Sequence, residues 1–184
     1  PALIAALVRA RLVVGDPVSA EKEGRNLIDK RGIRIGETAL LVARARIAQN
    51  KRDPMTQSYL QIAAELCRST DELLMLELTR IEWDLLNERR PTDIPADADS
   101  RRRFIQIWTH YVRGRIREHR GHVDDALKSY ARAAALADGT RIWFADLARE
   151  KVDALGKSMI QAASEKLETA HSTDERRRRK RKRR

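Results

Sequence analysis

An all-α fold of antiparallel helix pairs stacked as a solenoid is what this sequence predicts, and three observations carry the prediction. The first is a period. A small residue precedes an arginine at Ala10-Arg11, Ala45-Arg46, Thr79-Arg80, Gly114-Arg115 and Ala148-Arg149, and the arginines stand 35, 34, 35 and 34 residues apart. A fixed period in this range marks stacked helix pairs, in which each unit buries its apolar face only against its neighbours. The second is composition. Of 184 residues, 4% are aromatic and 35% charged, which suits helices packed through Leu, Ile and Ala. The third is punctuation: each apolar segment of helical spacing is followed by a cap or a breaker.

The elements follow in order. Leu3 to Val14 has helical spacing, and Gly15-Asp16-Pro17 stops one helix and starts the next. Asp16 can cap exposed amides, and Pro17 fits a first helical position, where no amide donor is needed. The second helix runs to about Lys30. Glu37 to Asn50 forms the third, and Asp53-Pro54 starts a fourth that reaches about Arg68. Asp16-Pro17-Val18-Ser19 and Asp53-Pro54-Met55-Thr56 are related turns 37 residues apart. Thr70 or Asp71 is expected to cap a strongly apolar helix ending near Arg90. Pro91 to Asp99 holds two prolines and three acids and is expected to be a protease-sensitive loop where the repeat would place a helix. Ser100 can cap a helix from Arg101 to His119. Gly121 ends it, and Asp124 to Leu136 forms its partner. Thr140 is expected to cap a last helix from Arg141 to about Leu155, which Gly156 interrupts before it continues towards Ala170. The organisation is therefore N-terminal repeats over 1–90, an acidic loop over 91–100, C-terminal repeats over 101–170 and a disordered tail over 171–184.

Charge is concentrated at one end. Arg176, Arg177, Arg178, Arg179, Lys180, Arg181, Lys182, Arg183 and Arg184 hold nine of the 38 basic residues. Without them 29 basic residues face 27 acidic ones, so the excess charge belongs to the tail. Nine consecutive cations release counterions from a polyanion, giving salt-sensitive, sequence-independent binding, and such a run also reads as a nuclear-localisation element. The tail has no interleaved aromatics for base stacking. The single cysteine, Cys67, excludes an intrachain disulfide framework and fits a reducing, intracellular compartment. It reads as a packed thiol. No apolar run approaches the length of a membrane span, and Arg9 and Arg11 make the first segment an amphipathic helix and not a signal peptide.

Residues 107–140 resemble one tetratricopeptide repeat. Gly114 matches the small residue where helix A approaches helix B, and Gly121 matches the turn glycine. Ala126 and Ala133 match the small B-helix positions, with Tyr130 as the large residue between them. Asp138 stands where that family has proline, and His110 and Arg113 stand where it has tryptophan and leucine. The resemblance implies a right-handed solenoid whose concave groove binds peptides. Carried over by position, it places Arg11, Arg46, Arg80, Arg115 and Arg149 on the inner surface, joined by Trp108, Tyr111 and His119. A ladder of guanidiniums would favour an acidic peptide, a chain terminus or a phosphate backbone. The alternative is that each arginine pairs with an acid on an adjacent helix.

Catalysis is not indicated. His110, His119 and His122 have no Cys or carboxylate completing a recognised metal spacing, and the eight glycines form no phosphate-cradling loop. The sequence therefore points to a non-catalytic adaptor, without cofactor or metal. Its groove would hold an acidic peptide or protein partner, and its tail would contact nucleic acid or another polyanion. Two other functions fit the same features. One is an RNA- or DNA-binding protein using groove and tail together. The other is a regulatory or sensor segment of a larger enzyme or transcription regulator.

Overall fold

A computed structural model describes residues 2–30, 32, 35–94, 100–137 and 139–181, with side chains characterised as far as Glu165. All regular structure among these residues is helical. The elements are α1 (Ala2–Val13), α2 (Pro17–Arg25), a π-helical turn (Asn26–Lys30), α3 (Gly36–Ala48), α4 (Pro54–Leu66), α5 (Thr70–Leu86), α6 (Arg103–His119), α7 (Val123–Ala137) and α8 (Trp143–Arg181). No described helix is long and apolar enough to cross a membrane.

The helix starts show how local sequence sets the boundaries. Asp16 accepts from the Ser19 amide at 3.1 Å and Asp53 from the Thr56 amide at 3.0 Å, each with proline in the first turn behind it. The cap of α5 is Ser69, one residue before the expected Thr70 or Asp71. Ser69 and Glu72 satisfy each other's backbone amides reciprocally, a pairing that neither expected cap could make. Helix ends follow one rule. After α1, α3, α5 and α6 the chain turns through a left-handed residue: Gly15, Asn50, Glu88 and Gly121. The amides of Asp16, Lys51, Arg89 and His122 then close back onto the carbonyls of Arg11, Arg46, Asp84 and Arg117.

Three boundaries depart from expectation. Ser100 does not cap α6 directly; its hydroxyl bonds Asp71 at 2.6 Å and accepts from the Arg102 amide, so the helix begins at Arg103. Thr140 does not cap α8, because its hydroxyl donates back to the Ala137 carbonyl and the helix begins three residues later. Gly156 does not interrupt α8. One glycine costs about 1 kcal/mol relative to alanine, too little to stop a run of Ala, Lys, Glu and Met. The same propensity carries the α8 backbone to Arg181, past the point where the sequence places the end of order; Lys182, Arg183 and Arg184 lie outside the described residues.

Short turns make neighbours pack as hairpins, with α1 on α2, α3 on α4, and α6 on α7 and α8. Helix α3 sits centrally, touching α1, α2, α4 and α5, and every residue from Thr38 to Ile47 is buried. Among the described residues no helix separates α5 from α6. There the described part of the acidic segment runs as loop, with Ile94 entering the core, while Ala96, Asp97 and Asp99 among others lie outside the described residues. The loop is pinned as well. Thr92 bonds Glu77 at 3.0 Å, and Arg120 bonds Asp93 at 2.7 Å. In the 107–140 segment, Gly114 lies directly against the Tyr130 ring, and Ala126, Tyr130 and Ala133 are fully buried. Asp138 lies outside the described residues.

Candidate functional site

A helix apolar on every side belongs in the middle of a molecule, so charges on it must be paired. Helix α3 carries two buried ones, Arg44 and Arg46, each 3% exposed. They solve the problem differently.

Arg46 points into a polar cluster that joins the first two helix pairs. Its Nε donates to Thr56 Oγ1 at 3.0 Å, and its terminal nitrogens pair with Glu21 and Asp53. Glu21 also accepts from Lys51 at 2.5 Å and from Gln49 at 2.9 Å. Burial by itself would raise the Glu21 carboxyl; the hydrogen bonds from Lys51 and Gln49 and the Arg46 charge outweigh it and hold the group below its usual range. Arg46 is thus a tie between α2, α3 and α4.

Arg44 lies on the other side of α3, facing the second half of the chain. Its Nε is 2.6 Å from Glu82 Oε2 on α5. Trp108 of α6 donates its indole N–H to the same oxygen at 2.9 Å. The guanidinium also lies 4.9 Å from the Phe144 ring centre and 5.1 Å from that of Trp143, both on α8. Trp108 and Phe144 stack beside it at 5.0 Å, with planes 8° apart. Four helices therefore converge on one ion pair.

Next to this pair is a cavity of about 180 Å³, walled by Arg44, Glu82, Tyr111, Arg115, Trp143 and Leu147, with the exposed Asn50 among its lining residues. Two guanidiniums face one carboxylate here, leaving an excess positive charge. Burial acts against the Arg115 cation, but Tyr111 and Glu82 outweigh it and hold the guanidinium charged. Burial, assisted by Glu82, raises the Tyr111 hydroxyl above its ordinary value and keeps it a hydrogen-bond donor. Glu82 Oε1 is buried and has no hydrogen-bond partner. Chemically, such a cavity can hold a carboxylate between Arg44, Arg115 and Tyr111 and offer Glu82 to a neighbouring N–H.

The residues singled out by period fall in unequal places. Arg115 and Tyr111 line this cavity, and Trp108 is wholly buried behind it. Arg46 is consumed by its cluster. Arg11 is exposed 3.6 Å from Asp16, Arg149 bonds Asp146 at 2.5 Å, and Arg80 and His119 are exposed. Register differs along the series, but Arg11 and Arg46 share theirs, so the neighbouring helices decide that Arg11 is exposed and Arg46 buried. Arg11 and Arg46 stand four residues before the left-handed residue that ends their helices, Arg115 six before Gly121 and Arg80 eight before Glu88. A constant period in the chain is not a constant depth on the helices. Arg44 and Glu82 were not singled out by the period; the signal for Arg44 was a charge directly after the apolar run Ala39-Leu40-Leu41-Val42-Ala43, where a buried cation needs an acidic partner.

The side chains of Arg176, Arg177, Arg178, Arg179, Lys180 and Arg181 lie outside the described residues, as do Lys182, Arg183 and Arg184 entirely. Among the described residues no group of three or more His, Cys, Asp or Glu is placed to hold a metal ion. Cys67 is 1% exposed, and burial followed by the nearby Glu72 and Glu37 pushes its thiol up to about 11. No family model matches this chain, and no curated protein or solved structure matches it either.

Proposed function

We propose that this chain is a non-catalytic adaptor that holds a carboxylate-bearing segment of a protein partner at the Arg44–Arg115 cavity. Its basic C-terminal run contacts a polyanion. The observation that carries the reading is the charge count of the cavity: two guanidiniums against a single carboxylate, in an aromatic-walled space at a junction of four helices. A net cation in such a place favours an anion, and a guanidinium fork fits a carboxylate best. The shielded Cys67 thiol supports a binding role over covalent catalysis, since a thiol raised to about 11 offers almost no thiolate near neutrality.

The test is a titration followed by the fluorescence of Trp143 and Trp108. An oligoglutamate peptide should quench or shift it, and an oligoglutamine peptide of equal length should not. Arg115→Ala should weaken the glutamate peptide by about ten- to a hundredfold, the equivalent of roughly 1.5–3 kcal/mol for a charge-assisted hydrogen bond. Equal response to both peptides, or an unchanged affinity in the variant, overturns the reading.

A further inference from the structure

A second cavity opens between α2, the π-helical turn and the turn that follows α3. It measures about 400 Å³, within the range of small-molecule sites, and the adaptor function proposed above makes no use of it. Positions 18, 21, 22, 25, 26 and 29 form one wall, a single stripe at helical spacing. Gln49 and Lys51 form the other. The turn after α3 therefore serves two cavities, Asn50 lining the first and its two neighbours the second.

Glu21 and Asp29 stand in these walls against Lys22, Arg25 and Lys51. Both carboxylates are fully engaged. Glu21 is buried, and its two oxygens take Arg46, Lys51 and Gln49. The Tyr59 hydroxyl donates between the two Asp29 oxygens, 3.0 and 2.9 Å away, and the Arg25 Nε donates to one of them at 3.1 Å. The cations keep donors in reserve. Lys22 is exposed and has no ion-pair partner among the described residues. The Arg25 Nη1 stands 3.8 Å from Glu21, beyond hydrogen-bond reach, so that fork is not filled. Lys51 gives Glu21 one of its three N–H groups. Arg25 and Lys51 flank the same carboxylate, and Lys22 lies three residues before Arg25, where side chains on a helix are neighbours. The charge left over at this cavity is therefore positive, and it comes from three side chains on two elements.

We propose that this cavity binds a small phosphate monoester, its phosphate held by Lys22, Arg25 and Lys51 and its organic part lying on Val18 and the methylene stems of the two lysines. A monoester presents three oxygens around one centre and takes donors from several directions, including compact ammonium groups. A carboxylate is flat and suits a guanidinium fork, the chemistry of the Arg44–Arg115 cavity. Val18 is 63% exposed and gives the organic part an apolar surface, which the lysine stems extend. The π-helical turn supports the assignment. Such turns are rare and frequent at functional sites, and this one carries Asp29, the acid that positions Arg25.

The experiment is calorimetric titration of the full chain at moderate salt with phenyl phosphate and with benzoate, a carboxylate of similar size. Phenyl phosphate should bind saturably, and benzoate about tenfold more weakly. Lys22→Gln should weaken phenyl phosphate about tenfold, as expected for one lost charge-assisted contact. Lys128→Gln makes the same change at an exposed lysine of α7 and should leave the affinity unaltered, which separates the cavity from the general charge of the chain and its basic end. Arg25→Gln should repeat the loss. Should it also lower the melting temperature, Lys22, exposed and unpaired, still decides the matter. Absence of saturation at millimolar phenyl phosphate overturns the proposal, as does equal binding of benzoate or an equal effect of the two lysine variants. A phosphoserine peptide or short oligonucleotide that binds more tightly than phenyl phosphate, and loses that affinity in Lys22→Gln, also overturns it and assigns the cavity to a modified protein or to nucleic acid. The Arg44–Arg115 reading stands or falls separately, on other residues and on carboxylate peptides.

Discussion

Arg44 and Glu82 show what a buried charge pair does at the scale of single residues. Both are almost fully buried, and the pair is braced by the Trp108 indole N–H and by the rings of Trp108, Trp143 and Phe144. Removing one partner leaves the other charge without water or counterion, so Arg44→Met or Glu82→Leu should each lower the unfolding free energy by about 3–5 kcal/mol. The double variant should recover much of that loss, because apolar replacement of both ions leaves no stranded charge. A denaturant-unfolding cycle of the four proteins measures it, and simple additivity of the two losses would refute the coupling. His110 gives a pH signature of its own. Burial, then the charges of Arg113, Arg132 and Arg117, lowers its folded pKa. The unfolded chain therefore takes up the proton first, near about pH 6.5, and the stability difference present above that pH is lost as the pH falls through it. Unfolding midpoints taken on either side of that value should differ less for His110→Gln than for the unsubstituted chain.

At the scale of elements, close approach between helices is set by small residues at particular crossings. Gly114 is the sharpest case, since a Cβ would fall 2.4 Å from the Tyr130 ring, itself fixed by a 2.5 Å bond from its hydroxyl to Glu118. Lys151 of α8 reaches the same carboxylate at 2.8 Å, so one crossing anchors α6, α7 and α8. Gly114→Ala should therefore destabilise by about 1–3 kcal/mol, the usual cost of overpacking. Pairing it with Tyr130→Leu should give a loss smaller than the sum of the two single changes, as thermal unfolding would show. The element boundaries were largely legible in the chain. Asp-Pro at two starts and glycine after two ends fix them by local hydrogen bonding alone. Glu88 was not legible, because a glutamate in a left-handed turn has no local signature.

At the scale of the whole molecule, the body and the basic end are electrically distinct, with 29 basic and 27 acidic residues in the body against nine cations in 176–184. Deleting 176–184 should leave the melting temperature nearly unchanged and remove most affinity for generic RNA or DNA. In the intact chain, log K should fall with log salt at up to about 0.9 per duplex phosphate contacted. Undiminished binding by the truncated chain at moderate salt would assign nucleic-acid contact to the helical body. The clasp at Arg44 matters at this scale too. It joins α3 to α5, α6 and α8, and the turn at Gly15 meets Trp143 within 3.0 Å of a Cβ position. The first helix and the last thus touch.

Sequence by itself determined the all-helical class, the Asp-Pro starts, the glycine stops after α1 and α6, and the separation of charge between body and tail. These follow from short-range hydrogen bonding, backbone sterics and composition, all of which act over a few residues. Only the tertiary structure decided which arginines are open and which are buried. Arg44 and Arg46 are two residues apart and serve different clusters, because successive side chains on a helix point about 100° apart and each must find its acid on another element. Glu21 and Glu82, the acids that receive them, lie 25 and 38 residues away. No local pattern records that distance; packing around α3 alone brings them together.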